Sequence, residues 1–517
     1  MMTKLTLPLA LSAMLGLFLA QSASASDGGP LATVTGGQIR GTALPADSGS
    51  VFRGVPFAQP PVGDLRWREP MPVIPWTGIR DADKPGAPAA QSDAGWNKDF
   101  AAAGSEDCLY LDVWAPPPSP KAPHPVMVWI HGGGNVAGAG GFDFLYDGKA
   151  FAKRGVILVV IEYRLGPFGF FTHPDLAKES PHHSSGNYGI MDQVAALQWV
   201  HDNIATFGGD PENVTIFGQS AGATDVLALM ATPISQGLFK KVISESSALP
   251  GPLHWGTVAT AEDAGRAAAA SVGAPPGSLA LLRSLSAETL LKNLPGHWQP
   301  APDNYVFPVN PAVIFSQGKE ADVPLIIGSC AIEFPVDGDF DIRAKIVQMT
   351  FGKHAPEALE LYGMSANGDK FPADPLYGNS SDQLGSDIFR GPAIVEGAWH
   401  AAHGSPTWQY QFERAIPPRP RVGHSSDIPY VFGNLLPYEG QGGAFTDVDR
   451  KLSDDVQGYW VNFAKTGNPN GAAVPSWPAF DASGRKFVHF TAEGGEAVDR
   501  DERAPFATLY SKTITDP

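Results

Sequence analysis

The sequence is poor in cysteine. Cys108 and Cys330 are its only two, and thiols so far apart define no disulfide framework of the kind that staples small exported domains. Both are expected to be free, although an oxidising compartment would permit them to pair. Charge is scarce too, at 17% of residues, and positive charge is the scarcer: 36 Lys and Arg against 53 Asp and Glu leave a formal net charge of −17. That deficit argues against nucleic acid and anionic lipid as partners and favours solubility. Beyond the first 25 residues no apolar stretch is long enough to span a bilayer, so no stable membrane anchor is expected. Internal repeats are absent. The paired His182 and His183 lack a third ligand at metal spacing, so no metal is expected.

What is present is a hydrophobic fraction of 43%, enough for a large packed core, in a chain of 517 residues that suits one large domain or two to three ordinary ones. The N-terminus reads as a secretory signal peptide. Lys4 gives a positive start, Leu5 to Ala20 an apolar stretch short for a membrane span, and Ala23-Ser24-Ala25 a small-residue cleavage site. Cleavage after Ala25 is expected, which makes residues 26–517 the mature chain and the protein secreted or periplasmic. No cysteine lies near that site to support a lipid anchor.

Short apolar, β-branched runs alternate with helical patterns. "HPVMVWI" (His124 to Ile130), "GVILVVIEY" (Gly155 to Tyr163), "NVTIFG" (Asn213 to Gly218) and "VPLIIG" (Val323 to Gly328) read as buried strands. "YGIMDQVAALQWVHDNIATF" has apolar residues at helical spacing until "GGD" breaks it. This order predicts an α/β fold with a largely parallel central sheet, and catalytic groups at the carboxyl ends of its strands. The Pro-rich Ala115 to Pro125 reads as a surface connection between two early strands. The stretches Ala259 to Ala274 and Phe351 to Ala402 read as helical insertions that either roof a site or pack on the sheet edge. The reading is one domain with excursions.

Within "TIFGQSAGATD", Gly218 and Gly222 flank Ser220 at two residues on each side, after a β-branched run and before a helix-forming one. A serine hydroxyl is a weak nucleophile that becomes useful on a sharp, strained strand-to-helix turn, where a Cβ at either flanking position would clash with neighbouring elements. The helix that follows aims its first amides at an oxyanion formed there. G-x-S-x-G alone is a weak pattern; between a strand and a helix it is much stronger. A second element points the same way: "VWIHGGGNVAG" ends a buried strand in His131 and Gly132-Gly133-Gly134, whose amides can turn into a cavity without side-chain obstruction.

With these two motifs in hand, the sequence resembles the type-B carboxylesterases, the family that includes the cholinesterases. "FRGVPFAQPPVGDLRWREP", "SEDCLYLDVW", "EYRLGPFGF", "GNYGIMDQVAALQWVHDNIATFGGDPENVTIFGQSAG" and "WVNFAKTGNPN" are similar to family blocks and stand in family order. The resemblance runs from about Gly36 to the end and is weakest between Asp337 and Ala402, where this chain looks shortened. It implies an α/β-hydrolase fold with helical insertions near the active site. It also implies an acid in a G-x-x-x-x-E pattern after "VPLIIG", which Glu333 matches, with Asp337 and Asp339 as rivals in the same loop. It implies a histidine in "GHSSDIPYVFG", which is His424. The order Ser220, Glu333, His424 suits an α/β hydrolase, and the amides of Gly133, Gly134 and Ala221 would form the oxyanion hole. The implied activity is hydrolysis of small-molecule carboxylic esters through an acyl-enzyme, with no cofactor. Two rivals share the resemblance. A cholinesterase would use Trp96 as an aromatic floor, but the loop disulfide cannot form here. A non-catalytic adhesion relative would typically have lost the serine.

The resemblance further implies two internal ion pairs, Arg66 with Glu106 and Arg164 with Asp192, bracing loops. Three departures stand out. No cysteine precedes Cys108 to pair with it, so it is expected to stay reduced and buried. Glu162 stands where asparagine is usual. Asp225 stands where a small polar residue is usual; it either lies near the acid and shifts its titration, or is a helix acid in a favourable field.

Overall fold

The apolar runs assemble into a mixed sheet of eleven strands. In chain order these are β1 (Thr42–Ala43), β2 (Ser50–Pro56), β3 (Tyr110–Ala115), β4 (His124–Ile130), β5 (Ile157–Ile161), β6 (Gly209–Gln219), β7 (Lys241–Glu245), β8 (Leu325–Cys330), β9 (Thr407–Phe412), β10 (Phe487–Thr491) and β11 (Gly494–Val498). Across the sheet they lie β11-β10-β9-β8-β7-β6-β4-β5-β3-β2-β1. From β10 through to β5 every pairing is parallel. The antiparallel pairs lie at the two edges. The structure, a computed structural model, describes residues 28–516 apart from 142, 250–254, 297, 420, 437–442, 481–485 and 499–502. The signal peptide expected at residues 1–25 lies outside the described residues.

The central strands read as unbroken apolar runs because both faces of a parallel sheet are covered. Alternate side chains of β4 enter different cores: Val126, Val128 and Ile130 join one, Met127 and Trp129 the other. Helices α1 (Tyr188–Asn203), α2 (Ala221–Ala231) and α3 (Ser380–Ala402) pack into the first core through Ile190, Leu197, Val226, Leu227 and Leu384. Helix α4 (Asp447–Thr466) covers the opposite face with Leu452, Val456, Trp460 and Phe463. The largely parallel α/β architecture read from the sequence is therefore present.

Element bounds shift where pairing overrides pattern. The "GGD" that breaks the helix also opens β6, because Gly209 already pairs with His124 of β4. Of the two stretches read as helical, the first holds a helix over Val258–Ser271. The second holds a helix at Ala355–Leu361 and then α3, separated by the Gly- and Pro-containing residues 362–379. Helix α3 starts at a capping box formed by Asn379 and Asp382. It packs on β8 and β9, so this insertion lies on the sheet, and it also delivers Ser386 to the site. Among the described residues no helix is long and apolar enough to cross a membrane.

Candidate active site

β6 delivers the chain to Gln219, and α2 leaves from Ala221. Ser220, between them, has φ 60° and ψ −124°, a conformation that non-glycine residues seldom hold unless their surroundings impose it. Two contacts impose it here. The Ser220 amide donates to the Glu245 carbonyl at 2.9 Å, tying the turn to the end of β7. Gly222 brings α2 so close to β4 that a Cβ there would sit 2.0 Å from the Ile130 carbonyl oxygen, and a Cβ on Gly218 would lie 2.6 Å from the Gly222 carbonyl. The steric demand read from the flanking glycines is thus a backbone-to-backbone contact.

The glycine turn after β4 lies against this elbow: a Cβ on Gly132 would come within 2.9 Å of the Ser220 Cβ. Gly133 and Gly134 have φ of +109° and +66°, and Asn135 follows at +58°. Among the described residues, the amides of Gly133, Gly134 and Ala221 donate no hydrogen bond, which leaves three donors beside the serine. The turn is braced from beneath. His131 is buried, stacks on Tyr163 with centroids 4.5 Å apart, and has its Nδ1 2.8 Å from the Gly132 carbonyl. Burial lowers its imidazole to about 4, so it is neutral. Glu162 accepts from the amides of Gly140 at 2.7 Å and Gly141 at 3.2 Å; burial pushes its carboxyl up to about 8.

Glu333 and His424 come together. Glu333 Oε2 lies 2.5 Å from His424 Nδ1. Glu333 Oε1 accepts from the Ser246 hydroxyl at 2.7 Å and the Cys330 amide at 2.8 Å, and its own amide donates to Ser386 Oγ at 3.0 Å. The rival acids lie elsewhere: both Asp337 and Asp339 are exposed, and Asp339 caps the following helix by accepting from the Ile342 amide. With Nδ1 facing a carboxylate, the proton belongs on Nδ1 and Nε2 keeps its lone pair. That lone pair accepts from the Gln219 side-chain amide at 3.1 Å, and Gln219 Oε1 in turn accepts from Ser425 Oγ at 2.9 Å. Among the described residues no hydrogen bond joins the Ser220 hydroxyl to His424 directly. The rings of Phe334 and Phe389 flank His424 at 4.4 and 4.9 Å.

Two further acids lie beneath. Glu245 accepts from Trp460 Nε1 at 2.8 Å and Asp427 from the Tyr410 hydroxyl at 3.0 Å. Burial pushes Glu245 well up, and burial with the Glu333 charge raises Asp427 to about 6.

Gln219, Ser425 and Phe334 are absent from the sequence reading, although each adjoins a residue it singles out. Ser246, Ser386 and Phe389 come from β7's end and from α3, and no local motif marks them. Asp225, left open between two roles, bonds to neither Glu333 nor His424. It is buried and accepts from Asn135 and Gln193, and burial raises its carboxyl to about 7 against the pull of those two bonds.

Both loop-bracing pairs form. Arg66 meets Glu106 through two bonds of 2.6 and 2.5 Å, and Arg164 meets Asp192 through two of 2.7 Å. Cys108 and Cys330 are free and buried, and Trp96 is 60% exposed.

A serine at a strand–turn–helix elbow, on a central strand of a parallel sheet covered by helices on both faces, defines an α/β hydrolase. The profile of the Carboxylesterase family matches residues 29–506. The chain is 36% identical over 464 residues to the fumonisin B1 esterase of Sphingopyxis macrogoltabida, covering 84% of this chain and 82% of that one. It is likewise 36% identical over 493 residues to the para-nitrobenzyl esterase of Bacillus subtilis (strain 168), covering 90% and 95%. Its structure superposes on that of a thermophilic PNB esterase with a TM-score of 0.82 at 33% identity, over 93% of this chain and 99% of the other. The chain belongs to the carboxylesterase family, and is a carboxylic ester hydrolase of that family.

Proposed function

We propose that the chain is an exported serine esterase that cleaves small-molecule carboxylic esters through an acyl-enzyme. Ser220 is the nucleophile, His424 the general base and then acid, and Glu333 the group that orients His424 and stabilises its charged form. The amides of Gly133, Gly134 and Ala221 receive the oxyanion. The observation that carries this reading is the 2.5 Å Glu333–His424 contact, which leaves the Nε2 lone pair facing the elbow at Gln219, one residue before Ser220.

When an ester enters, the Ser220 hydroxyl takes the place of the Gln219 amide at Nε2; catalytic hydrogen bonds commonly tighten only in the substrate complex. Nε2 accepts the hydroxyl proton as Oγ attacks the carbonyl carbon, and the developing oxyanion is held by amides already aligned. The imidazolium then protonates the leaving alkoxide. Water repeats the cycle on the acyl-enzyme, and the sequence of steps uses no cofactor. The Phe334 and Phe389 rings offer an apolar surface to whichever substrate group lies beside the base. Export rests on the leader with cleavage after Ala25, and residues 26–517 form one catalytic domain in this reading.

Rates on p-nitrophenyl esters of graded acyl length, for wild type and Ser220→Ala, test it. Loss of a triad nucleophile lowers turnover by about six decades. A variant that kept even about a tenth of the rate would remove Ser220 from the reaction.

A further inference from the structure

Asp225 is the only acid on α2 and is fully buried. Among the described residues no Lys, Arg or His pairs with it; its partners are neutral amides. Oδ2 accepts from Gln193 Nε2 at 2.6 Å and Oδ1 from Asn135 Nδ2 at 3.2 Å. Burial raises its carboxyl to about 7 against the pull of those two bonds, so its ionised form costs folding free energy. What it holds is informative. Asn135 follows Gly134 directly, is buried, and has φ +58°. Its side chain is gripped at both ends, Nδ2 by Asp225 and Oδ1 by the Tyr163 hydroxyl at 3.2 Å, while its carbonyl accepts from the Gly166 amide at 2.7 Å. Asn135 is thereby fixed at the end of the glycine turn, beside the turn's other anchors: the Gly133 carbonyl accepts from the Val136 and Ala137 amides at 3.2 and 3.0 Å, and the Gly134 carbonyl from Gln299 Nε2 at 2.7 Å.

We propose that Asp225 is a positioning residue for ester hydrolysis: from the helix that begins at Ser220 it fixes Asn135, and through Asn135 the Gly133 and Gly134 amides relative to the nucleophile. One rigid element thus carries both the attacking group and the anchor of the oxyanion donors, the preorganisation such donors need. The inference rests on the reading of Ser220 as the nucleophile.

The test measures kcat and KM on p-nitrophenyl butyrate, and Ki for a trifluoromethyl ketone whose hemiketal oxyanion, formed when Ser220 Oγ adds to the free ketone carbonyl and passes its proton to His424, occupies the same amides. The proteins are wild type, Asp225→Ala, Asp225→Asn, Asn135→Gly (which keeps the left-handed backbone) and the Asp225→Ala/Asn135→Gly double variant. Asp225→Ala is expected to lose about ten- to a hundredfold in kcat, short of or equal to deleting one oxyanion donor, with Ki rising in step and KM within about twofold. Asn135→Gly loses a similar factor, and the double variant loses no more than the worse single one. Asp225→Asn keeps at least about a third of kcat. Its amide oxygen still accepts from Asn135, and its NH2 finds Gln193 Oε1, which is buried without a partner in the present arrangement. A lower melting temperature in Asp225→Ala with kcat and Ki within about twofold of wild type would overturn the inference, as would Asp225→Asn falling as far as Asp225→Ala, or additive losses in the double variant. A wild type that hydrolyses no ester overturns the serine-esterase reading and this inference together. An active wild type beside an unimpaired Asp225→Ala overturns the inference alone.

Discussion

Glu333 Oε2 lies 2.5 Å from His424 Nδ1, while the other oxygen of the same carboxylate is held by Ser246 Oγ at 2.7 Å and the Cys330 amide at 2.8 Å. A carboxylate anchored twice through its far oxygen can orient the imidazole without being displaced itself. Glu333→Gln keeps the shape, removes the charge that stabilises imidazolium, and favours the wrong tautomer; the comparable acid-to-amide change in a serine protease costs about four decades. Glu333→Asp keeps the charge but falls short of Nδ1. Activity on a p-nitrophenyl ester is expected to fall in the order wild type, Glu333→Asp, Glu333→Gln. Asp337→Asn, at an exposed position, should match wild type. The reverse pattern would move the acid along the loop.

Stability should depend on pH through the two acids under the glycine turn. Burial raises Asp225 from the ordinary 3.8 to about 7 and Glu162 from 4.5 to about 8. Between those limits the folded chain holds protons that the unfolded chain has lost. Their contribution is thus fully present below about pH 4 and is lost as pH rises through 7 and 8, by up to about 1.4 kcal/mol per pH unit for each proton. Urea unfolding in steps from about pH 5 to 8 should give a flatter profile for Asp225→Asn and for Glu162→Gln than for wild type. Parallel profiles would mean that these acids titrate normally.

The Arg164–Asp192 pair is almost wholly buried, with side-chain exposures of 2% and 0%. Removing one partner strands the other's charge. Asp192→Ala is expected to lower the unfolding free energy by about 3–5 kcal/mol, read from denaturant midpoints. A loss below about 1 kcal/mol would mean that water reaches Arg164.

The sequence carried the frame of this site because its demands are local. A β-branched run, two glycines around Ser220 and a helical pattern each answer to neighbours within a few residues, and all three appear where expected. Glu333 and His424 were legible only through the family blocks around them, since nothing in their own spacing says that β8's loop and the segment before Ile428 meet. What stayed hidden depends on packing between distant elements. Ser246 and Ser386 reach Glu333 from β7's end and from α3, and Asn135 meets Asp225 across 90 residues of sequence. Periodicity has no access to such contacts. The role of Asp225 was open for the same reason: a helix acid looks alike in sequence whether it faces solvent or a buried amide.

Both thiols are buried, and burial, aided by neighbouring carboxylates, pushes each well up. Thiolate is the reactive form, so the native protein should resist Ellman's reagent and release two equivalents of thiol, for Cys108 and Cys330, only on unfolding. Its melting temperature should be unchanged by dithiothreitol. An intact mass two hydrogens short, with a lower melting point under reduction, would show a disulfide instead.

The most direct test of the account is where a fluorophosphonate lands. Incubated with the native protein and mapped by peptide mass spectrometry, one equivalent of probe should be found on Ser220, with ester hydrolysis lost in proportion to labelling and no labelling of Ser220→Ala. Adduct on another residue, or full activity in a protein labelled to completion at Ser220, would contradict it.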